Sequence, residues 1–273
     1  MPAIRSRQKP KLLGEGTTHP SMVRGKKEFC QVIRKPKNSL RRRIKKWIRR
    51  ALFPHICREI IRPLISSYCT GQGLEIGPGK KPYCNPETTL FLDKFTDNKD
   101  GTPEPDIISD ANHIPKSDET FDYVFSSHVL EHMQNTIAAL KEWVRVLRHG
   151  GILFLVLPHG DRTFDRHREK TTLEHHLNDY ENLTDEYDHS HNEEIKSGWS
   201  KNEDFDGGKK YEEQWGAPVW VFDFRLRNGV IHFHVWTQDE IVRLLQYLGL
   251  KILVVVETAP ERTDSFVVVA QKP

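Results

Sequence analysis

The sequence has few cysteines and no long apolar run. Its 273 residues include four cysteines, Cys30, Cys57, Cys69 and Cys84, at irregular spacings and without a CxxC pair. This pattern excludes a cysteine zinc site and a disulfide framework, and it favours a reducing compartment. No apolar run approaches the ~20 residues that a membrane-spanning helix needs. We therefore expect a cytoplasmic protein.

Acidic residues are scarce at the start of the chain. Residues 1–50 contain 17 Lys and Arg residues against Glu15 and Glu28, which leaves a net charge of +15, while the rest of the chain carries −12. This asymmetry predicts a basic arm attached to an acidic globule. The basic region also lacks an apolar core followed by a small-residue cleavage site, so we expect no secretory signal in it.

The composition divides the chain into three parts. Residues 1–37 mix Pro, Gly, Lys and Arg without apolar periodicity, and we expect a disordered basic arm. Residues 38–70 place apolar side chains at helical spacing among arginines and lysines, which predicts a basic amphipathic helical extension. Residues 71–273 form the remaining domain. Within it, residues 159–235 lose clear periodicity, and a segment of this length predicts a lid or a substrate-binding insertion.

The amphipathic helix predicted over residues 38–54 has three candidate partners. Its apolar stripe and basic faces suit the headgroup region of an anionic membrane, which would place the protein peripherally at the inner membrane face. The stripe could equally dock on the protein's own domain, or the arm could follow RNA phosphates, although nucleic acid is the least favoured partner. The sequence leaves these alternatives open.

From residue 73 onward, short apolar runs alternate with turns and helices. Strands are predicted at Leu74–Ile76, Leu90–Leu92, Ile107–Ile108, Tyr123–Phe125 and Ile152–Leu157. A helix is predicted from Val129 to Arg148, ended by Gly150 and Gly151. A helix capped by Thr237 then precedes two final strands. This order predicts an α/β, Rossmann-like, mostly parallel seven-stranded sheet with a C-terminal antiparallel hairpin and an N-terminal helical extension.

A glycine loop and three acidic residues lie at successive strand ends. Glu75 stands beside the loop, Asp93 ends the second strand and Asp110 ends the third. Because the carboxyl ends of parallel strands meet at one crevice, this order predicts a site for an adenosine and its ribose.

The residues that follow the glycine loop limit which nucleotide the loop binds and which helices cover that flank of the sheet. A dinucleotide site requires GxGxxG at the start of a helix, but Pro82 replaces the third glycine, which disfavours NAD. Pro82 and Pro86 also leave no room for the usual helix between the first two strands. The N-terminal helices are therefore candidates to cover that flank of the sheet.

Residues 73–158 resemble the core of class I S-adenosylmethionine-dependent methyltransferases, particularly the small-molecule group with a LEH-type motif after strand four. The resemblance lies in E-I-G-P-G at 75–79, L-D-K-F around Asp93, S-D-A at 109–111, F-D-Y-V at 121–124 and H-V-L-E-H at 128–132. It implies S-adenosylmethionine as the cofactor. The implied cofactor-binding residues are Glu75, Gly77, Gly79, Asp93, Asp110, Ala111, Ser127 and His128.

Histidines are the candidate bases for a hydroxyl acceptor. His159 directly follows strand five, at the edge where the cofactor lies, and His128 follows strand four. The predicted catalytic residues are His159, His128, Asp161 and His175. His132 is interpreted as part of the start of a helix rather than as a residue that takes part in the reaction.

A second set of residues is predicted to bind the acceptor. Arginines between positions 165 and 168 suit a carboxylate or a phosphate, and His232 and His234 are expected to share one face of an extended segment. The predicted substrate-binding residues are Arg166, His167, Arg168, His232 and His234. The two alternating histidines could chelate a metal with a third ligand such as Asp161 or His175, but we assign no metal.

The sequence thus predicts an enzyme that O-methylates a sugar, a glycan or another polar small molecule. The run HREKTTLEHHLNDY loosely resembles segments of bacterial surface-polysaccharide methyltransferases, which implies a role in polysaccharide biosynthesis. One alternative is an RNA methyltransferase that uses the basic arm, although no NPPY-like motif is present. The other is a non-catalytic scaffold, which the intact glycine loop and ribose acceptor disfavour. The oligomeric state is left undefined.

Overall fold

The computed structural model describes residues 59–95, 104–185 and 231–273, together with residues 188, 190, 191, 194, 195 and 197. The arm at 1–37, the helix predicted over 38–54 and much of the insertion at 159–235 lie outside the described residues. The predictions made for those segments therefore stay predictions. In the described part of the chain, no helix is long and apolar enough to cross a membrane.

Seven strands form one sheet in the described residues, in the order β3-β2-β1-β4-β5-β7-β6. Their bounds are β1 Gly73–Ile76, β2 Thr89–Asp93, β3 Ile107–Ile108, β4 Phe121–Ser127, β5 Leu147–Pro158, β6 Lys251–Val256 and β7 Ser265–Gln271. Strands β1 to β5 pair in parallel, and β7 is antiparallel to both β5 and β6. The predicted Rossmann-like sheet with an antiparallel hairpin is confirmed.

Four helices of the described residues pack around this sheet: α1 Ile61–Tyr68, α2 Thr136–Val146, α3 Leu173–Glu181 and α4 Gln238–Tyr247. Helices α2 and α4 bury apolar side chains, among them Trp143 and Leu244, in the larger core on one face of the sheet. The strand order reverses between β1 and β4: from β1 the chain adds β2 and β3 on one side, and it then returns to add β4 and β5 on the other side of β1. Ligands of open α/β sheets bind outside the carboxyl ends of the strands at such a point.

Helix α1 covers the opposite face of the sheet. Ile61 and Ile65 are buried there in the same apolar cluster as Phe125 and Phe154. The β1–β2 connection contains no helix, as Pro82 predicts, and α1 lies on this flank instead. Pro63 falls in the first turn of α1, where no intrahelical N–H bond is lost.

The structure corrects the helix predicted from Val129 to Arg148. Helix α2 begins only at Thr136, because the Asn135 side chain accepts a hydrogen bond from the Ala138 N–H at 3.0 Å and caps it. The strand β5 already begins at Leu147. Gly150, with φ +74°, lies within β5 where the register with β4 shifts, and it does not end a helix.

Candidate functional site: a strand-end crevice beside a buried glutamate

The carboxyl ends of β1, β2 and β4 open into a crevice of about 450 Å³. This volume lies within the range of about 300–1,000 Å³ that is typical of small-molecule sites. Its walls contain the glycine loop, the acidic residues at the strand ends, two histidines and the apolar side chains of Ile231 and Phe233. The polar lining residues include Asp93, Asp110, Asn112, His128, His132 and Gln134.

The glycine loop leaves its backbone open to a ligand. Gly77 and Gly79 both have positive φ, +65° and +56°, which only glycine adopts without strain. A Cβ on Gly77 would lie 2.4 Å from a methyl group of Val129, whereas a Cβ on Gly79 would meet no heavy atom within 4 Å. The loop therefore fits close approach by a cofactor at Gly79, while packing on Val129 fixes Gly77.

Two strand-end carboxylates are fixed at the crevice wall. The Asp93 Oδ1 atom accepts a hydrogen bond from the Phe95 N–H at 3.0 Å, and burial raises the pKa of Asp93. One oxygen of Asp110 lies 2.7 Å from the Lys94 ammonium and the other accepts the Asn112 N–H. These contacts hold carboxylate oxygens at positions suited to ribose hydroxyls and to the adenine edge.

A buried tryptophan fixes the loop that follows β3. The carbonyl oxygen of Ala111 accepts a hydrogen bond from the indole N–H of Trp143 at 2.9 Å. Ala111 lines the crevice beside Asp110. The loop is thus held by helix α2, which fixes the Ala111 side of the crevice.

Glu75 and Ser127 do not line the crevice, and their predicted contact with the cofactor stays a prediction. The Glu75 carboxylate accepts the backbone N–H groups of Tyr83 and Cys84 at 3.0 and 2.9 Å. Burial raises the pKa of Glu75, and these amides oppose that shift. Glu75 therefore holds the chain that follows the glycine loop. The Ser127 hydroxyl is buried without a hydrogen-bond partner among the described residues.

A fully buried glutamate stands behind the crevice. The side chain of Glu131 is 0% exposed, and its Oε1 lies 3.3 Å from His128 Nδ1 and 4.0 Å from both His132 Nε2 and His232 Nε2. Burial acts to raise the pKa of Glu131, but the hydrogen bond from His128 and the neighbouring imidazoles lower that pKa to about 2. The carboxylate is therefore charged at neutral pH.

His128 and His132 bring imidazole rings to the crevice wall on either side of this carboxylate. His128 Nε2 lies 2.8 Å from the Ser265 hydroxyl, and its backbone adopts the strained left-handed region with φ +57°. His132 Nδ1 lies 2.7 Å from the Ile231 carbonyl oxygen. Burial lowers the pKa of His132, so its ring is neutral at pH 7.

The sequence interpretation missed His132 because it expected an α-helix there. The chain instead forms a 3₁₀ turn at Leu130–His132, and α2 begins four residues later. The available signal was the H-V-L-E-H motif itself, which places two histidines around an acid.

His159 and Asp161 lie at the carboxyl end of β5 but not in the wall of the crevice. His159 is buried, its Nδ1 accepts the Asp161 N–H at 3.2 Å, and burial lowers the pKa of the ring. The Asp161 carboxylate lies 2.6 Å from the Lys170 ammonium. These contacts order the start of the insertion.

Arg168 is an internal brace, which corrects its predicted role in substrate binding. Its side chain is 1% exposed and lies 2.9 Å from Asp165 and 2.7 Å from Glu194. The guanidinium also donates to the carbonyl oxygens of His232 and Phe233 at 2.6 and 3.0 Å. All of these partners are protein groups, so the guanidinium is committed to the fold.

Arg166 and His167, the neighbours of this brace, are exposed and do not line the crevice. The Arg166 Nε atom lies 3.2 Å from the His167 ring. Their predicted contact with an acceptor stays a prediction.

His232 and His234 do not share a face, because the chain bends at residues 233 and 234. His232 Nδ1 lies 2.6 Å from Asp165, while His234 Nε2 lies 3.0 Å from Asp179. His175 also lies beside Asp179, at 3.2 Å. None of these three histidines lines the crevice. The structure therefore does not bring His175, one of the predicted catalytic residues, to the crevice wall.

The seven-stranded sheet and the crevice at its strand ends have the arrangement that the resemblance to class I S-adenosylmethionine-dependent methyltransferases implies. Residues 91–155 match the family described as a methyltransferase domain, and this segment runs from β2 through the crevice histidines to β5. The predicted enzyme class and cofactor are thereby confirmed. The acceptor is not identified by this match.

Solved structures of methyltransferases are similar to this chain at low sequence identity. A methyltransferase from Thermotoga maritima is 14% identical with a TM-score of 0.42, over 85% of this chain and 97% of that chain. One from Aquifex aeolicus is 15% identical with a TM-score of 0.40, over 85% and 98%. One from Mesorhizobium loti is 15% identical with a TM-score of 0.45, over 77% and 96%. No curated protein matches the chain.

Proposed function

We propose that the protein methylates a hydroxyl group of a sugar, a glycan or a similar polar acceptor, with His132 as the general base. When bound, S-adenosylmethionine would supply a methyl group on its sulfonium: the acceptor oxygen would attack the methyl carbon in line, and the carbon–sulfur bond would break to release S-adenosylhomocysteine. The residues of the chain then have two tasks, to position the acceptor and to take up its proton. The observation that carries the proposal is the neutral imidazole of His132 in the crevice wall beside a charged, buried glutamate.

The ring of His132 is set up to accept a proton. Its Nδ1–H donates to the Ile231 carbonyl oxygen at 2.7 Å, which leaves the lone pair on Nε2. Burial lowers the pKa of His132, so the unprotonated ring is the form present at neutral pH. The acceptor hydroxyl transfers its proton to His132 Nε2 as the new oxygen–carbon bond forms.

Glu131 stabilises the charge that this step creates. Its carboxylate is ionised although no part of the side chain is exposed, and its Oε1 lies 4.0 Å from His132 Nε2. When the His132 ring becomes an imidazolium, a negative charge at this distance in a buried setting favours the protonated form. His128 Nδ1 also lies 3.3 Å from this carboxylate.

The acceptor end of the crevice supports a polar ligand with an apolar face. Beside His132, the wall contains the amide of Gln134 and the side chains of Ile231 and Phe233. An aromatic side chain next to a few convergent polar groups is a common lining for polar small molecules. This composition, with the histidines at its centre, supports a sugar-like acceptor. The proposed role in surface-polysaccharide biosynthesis depends on the loose resemblance of residues 167–180 alone.

The test replaces the base and measures cofactor binding and methyl transfer separately. In His132→Gln, calorimetry should show unchanged S-adenosylmethionine affinity, while transfer of labelled methyl to a glycan extract should fall by about 100-fold or more. His149→Gln is the matched control, because His149 is exposed and pairs with Glu119 away from the crevice. Equal turnover of the two variants would contradict the role of His132.

The acceptor is tested with the same label. Wild-type protein should methylate the glycan extract and leave total RNA unlabelled. Labelled RNA with unlabelled glycan would overturn the sugar proposal and support the basic arm as an RNA contact. Flotation with anionic liposomes, compared between the full chain and a variant without residues 1–54, tests the proposed peripheral membrane location. Equal flotation of both proteins would remove the arm as the anchor.

A further inference from the structure

A second cluster of histidines lies outside the crevice, in the described part of the insertion. His175 and Asp179 stand one turn apart on α3, His191 follows from the next segment, and His234 precedes α4. Each offers one ligand atom, and all four atoms lie within 4.8 Å of one another. We propose that these four side chains bind a single zinc ion that ties the insertion to the core.

The separations between the ligand atoms match a tetrahedral zinc site. The Asp179 Oδ2 atom lies 3.2, 3.6 and 3.0 Å from the Nε2 atoms of His175, His191 and His234. His175 Nε2 lies 2.9 Å from His191 Nε2. Ligand bonds of about 2.0–2.1 Å in a tetrahedron place neighbouring ligand atoms about 3.3 Å apart. These four separations, from 2.9 to 3.6 Å, lie on both sides of that edge length.

The imidazole rings are arranged around that common point. The ring centroids of His175, His191 and His234 lie 4.9, 5.5 and 5.3 Å apart, which is nearly an equilateral triangle. The rings are inclined to one another by 64°, 80° and 88°. Nearly perpendicular rings whose Nε2 atoms converge are the arrangement that three ligands of one ion require.

A cation explains the close contact between two imidazole nitrogens in this cluster better than protons alone. The contact between His175 Nε2 and His191 Nε2 at 2.9 Å requires a proton on one nitrogen and a lone pair on the other. The nitrogen with the lone pair then faces the Asp179 carboxylate, at 3.2 or 3.6 Å, where two acceptors repel each other. A cation at the centre turns all of these lone pairs into favourable contacts.

The outer nitrogens have partners of the kind that orient metal ligands. His234 Nδ1 lies 3.1 Å from the Thr136 hydroxyl at the start of α2, and His191 Nδ1 lies 3.3 Å from the Ser190 hydroxyl. Asn135 donates to the backbone carbonyl of Asp179 at 3.2 Å. Such contacts fix the tautomer and the ring direction of a ligating histidine.

The donor set and its burial favour zinc in a structural role. Three imidazoles and one carboxylate complete a four-coordinate site, and closed four-ligand sites are structural. His191, His234 and Asp179 are buried, while the His175 side chain is 44% exposed and offers a path of entry. The ion would hold α3 and the segment at 231–236 against α2.

This site supports the wall of the crevice. Phe233, next to His234 in the chain, lines the crevice, and its ring lies 5.8 Å from the ring of His191. Loss of the ion would release this wall.

A second group of one acid and two histidines, formed by Glu131, His132 and His232, is a poorer match for an ion. In that group, Glu131 Oε1 lies 4.0 Å from the Nε2 atoms of both His132 and His232, wider than a tetrahedral edge. His232 is also committed to Asp165 through its Nδ1 atom.

The experiment measures metal content and does not depend on methyl transfer. The full chain, purified without a metal-affinity tag, should contain about one zinc per chain by mass spectrometry, and His175→Gln and Asp179→Asn should contain less than about one tenth. His167→Gln, at an exposed histidine of the same insertion, and His132→Gln, in the other group, should keep the ion.

Cobalt substitution provides a second readout that needs no variant. After removal of the zinc with a chelator, Co²⁺ added to the wild-type protein should give the intense visible absorption of a four-coordinate site, and zinc should abolish it. A folded wild-type protein that binds neither ion after loading and gel filtration overturns the proposal. Loss of zinc in His132→Gln but not in His175→Gln would overturn the assignment of the ligands.

Discussion

In the crevice, polar side chains stand at the ends of parallel strands, and backbone hydrogen bonds hold them there. Asp93 and Asp110 accept N–H groups from their own loops, and Glu75 fixes the loop after β1. In the described part of the insertion, side chains hold one another: Arg168 lies between two carboxylates, and three histidines meet at Asp179.

This difference teaches where each region is vulnerable. The crevice inherits its geometry from the sheet, so single changes there should alter binding and leave the fold intact. The insertion depends on buried charges, so single changes there should cost stability.

The largest expected effect comes from breaking the brace in the insertion. Arg168→Met should lower the free energy of unfolding by about 3–5 kcal/mol, because it leaves the buried carboxylate of Asp165 without its cation. Urea denaturation measures the change. A loss below about 1 kcal/mol would mean that the insertion is not held by this ion pair.

A strand-end change should instead affect the cofactor. Asp93→Ala should weaken S-adenosylmethionine binding by about 10- to 100-fold in calorimetry, because hydrogen bonds to a charged acceptor are lost. The urea midpoint should hardly move. Asp118→Ala is the control, since Asp118 is an exposed partner of Arg145 outside the crevice. Unchanged affinity in Asp93→Ala would remove Asp93 from the cofactor site.

The pH profile of methyl transfer tests the base. Burial lowers the pKa of His132 from its usual 6.5, and a base must be unprotonated, so turnover should be full at neutral pH and fall only below pH 6.5. Glu131 acts to raise that pKa, so Glu131→Gln should move the acid limb to still lower pH. A limb that stays in place in Glu131→Gln would argue that another group titrates.

The smallest effect is expected at a surface ion pair of the core. Arg148 lies 2.6 Å from Asp122, but its side chain is 48% exposed. Arg148→Met should therefore change the free energy of unfolding by less than about 1 kcal/mol in urea denaturation. A cost as large as that of Arg168→Met would erase the contrast between the two regions.

Much of the core was predictable because its signals are local. Apolar runs placed strands β1 to β5 within a few residues of their bounds. The prediction failed between Val129 and Leu147, where apolar spacing typical of a helix continues on both sides of α2. Hydrogen bonds to Asn135 and a register shift in β5, which periodicity does not reveal, decided those boundaries.

The site was predictable in part for the same reason. Gly77, Gly79, Asp93, Asp110, Ala111 and His128 line the crevice, since each follows a strand in a recognisable motif. His132 was missed, and Arg168, His232 and His234 were expected at the acceptor. Arg168, His232 and His234 each have a partner 26 to 67 positions away in the sequence, and His132 has one 99 positions away, so spacing alone gave no indication of these contacts.

The sequence by itself determined the α/β class, the mostly parallel sheet with its C-terminal hairpin and the cofactor, because strand-end residues and glycine turns depend on neighbours a few positions away. Only the tertiary structure decided which histidines reach the crevice and which meet at Asp179. Those contacts join segments that are distant in the chain, and burial sets the charge of Glu131 and the pKa of His132. The sequence does not distinguish a histidine that acts as a base from one that binds a metal or holds the fold together, because these roles depend on the contacts and the burial of the side chain.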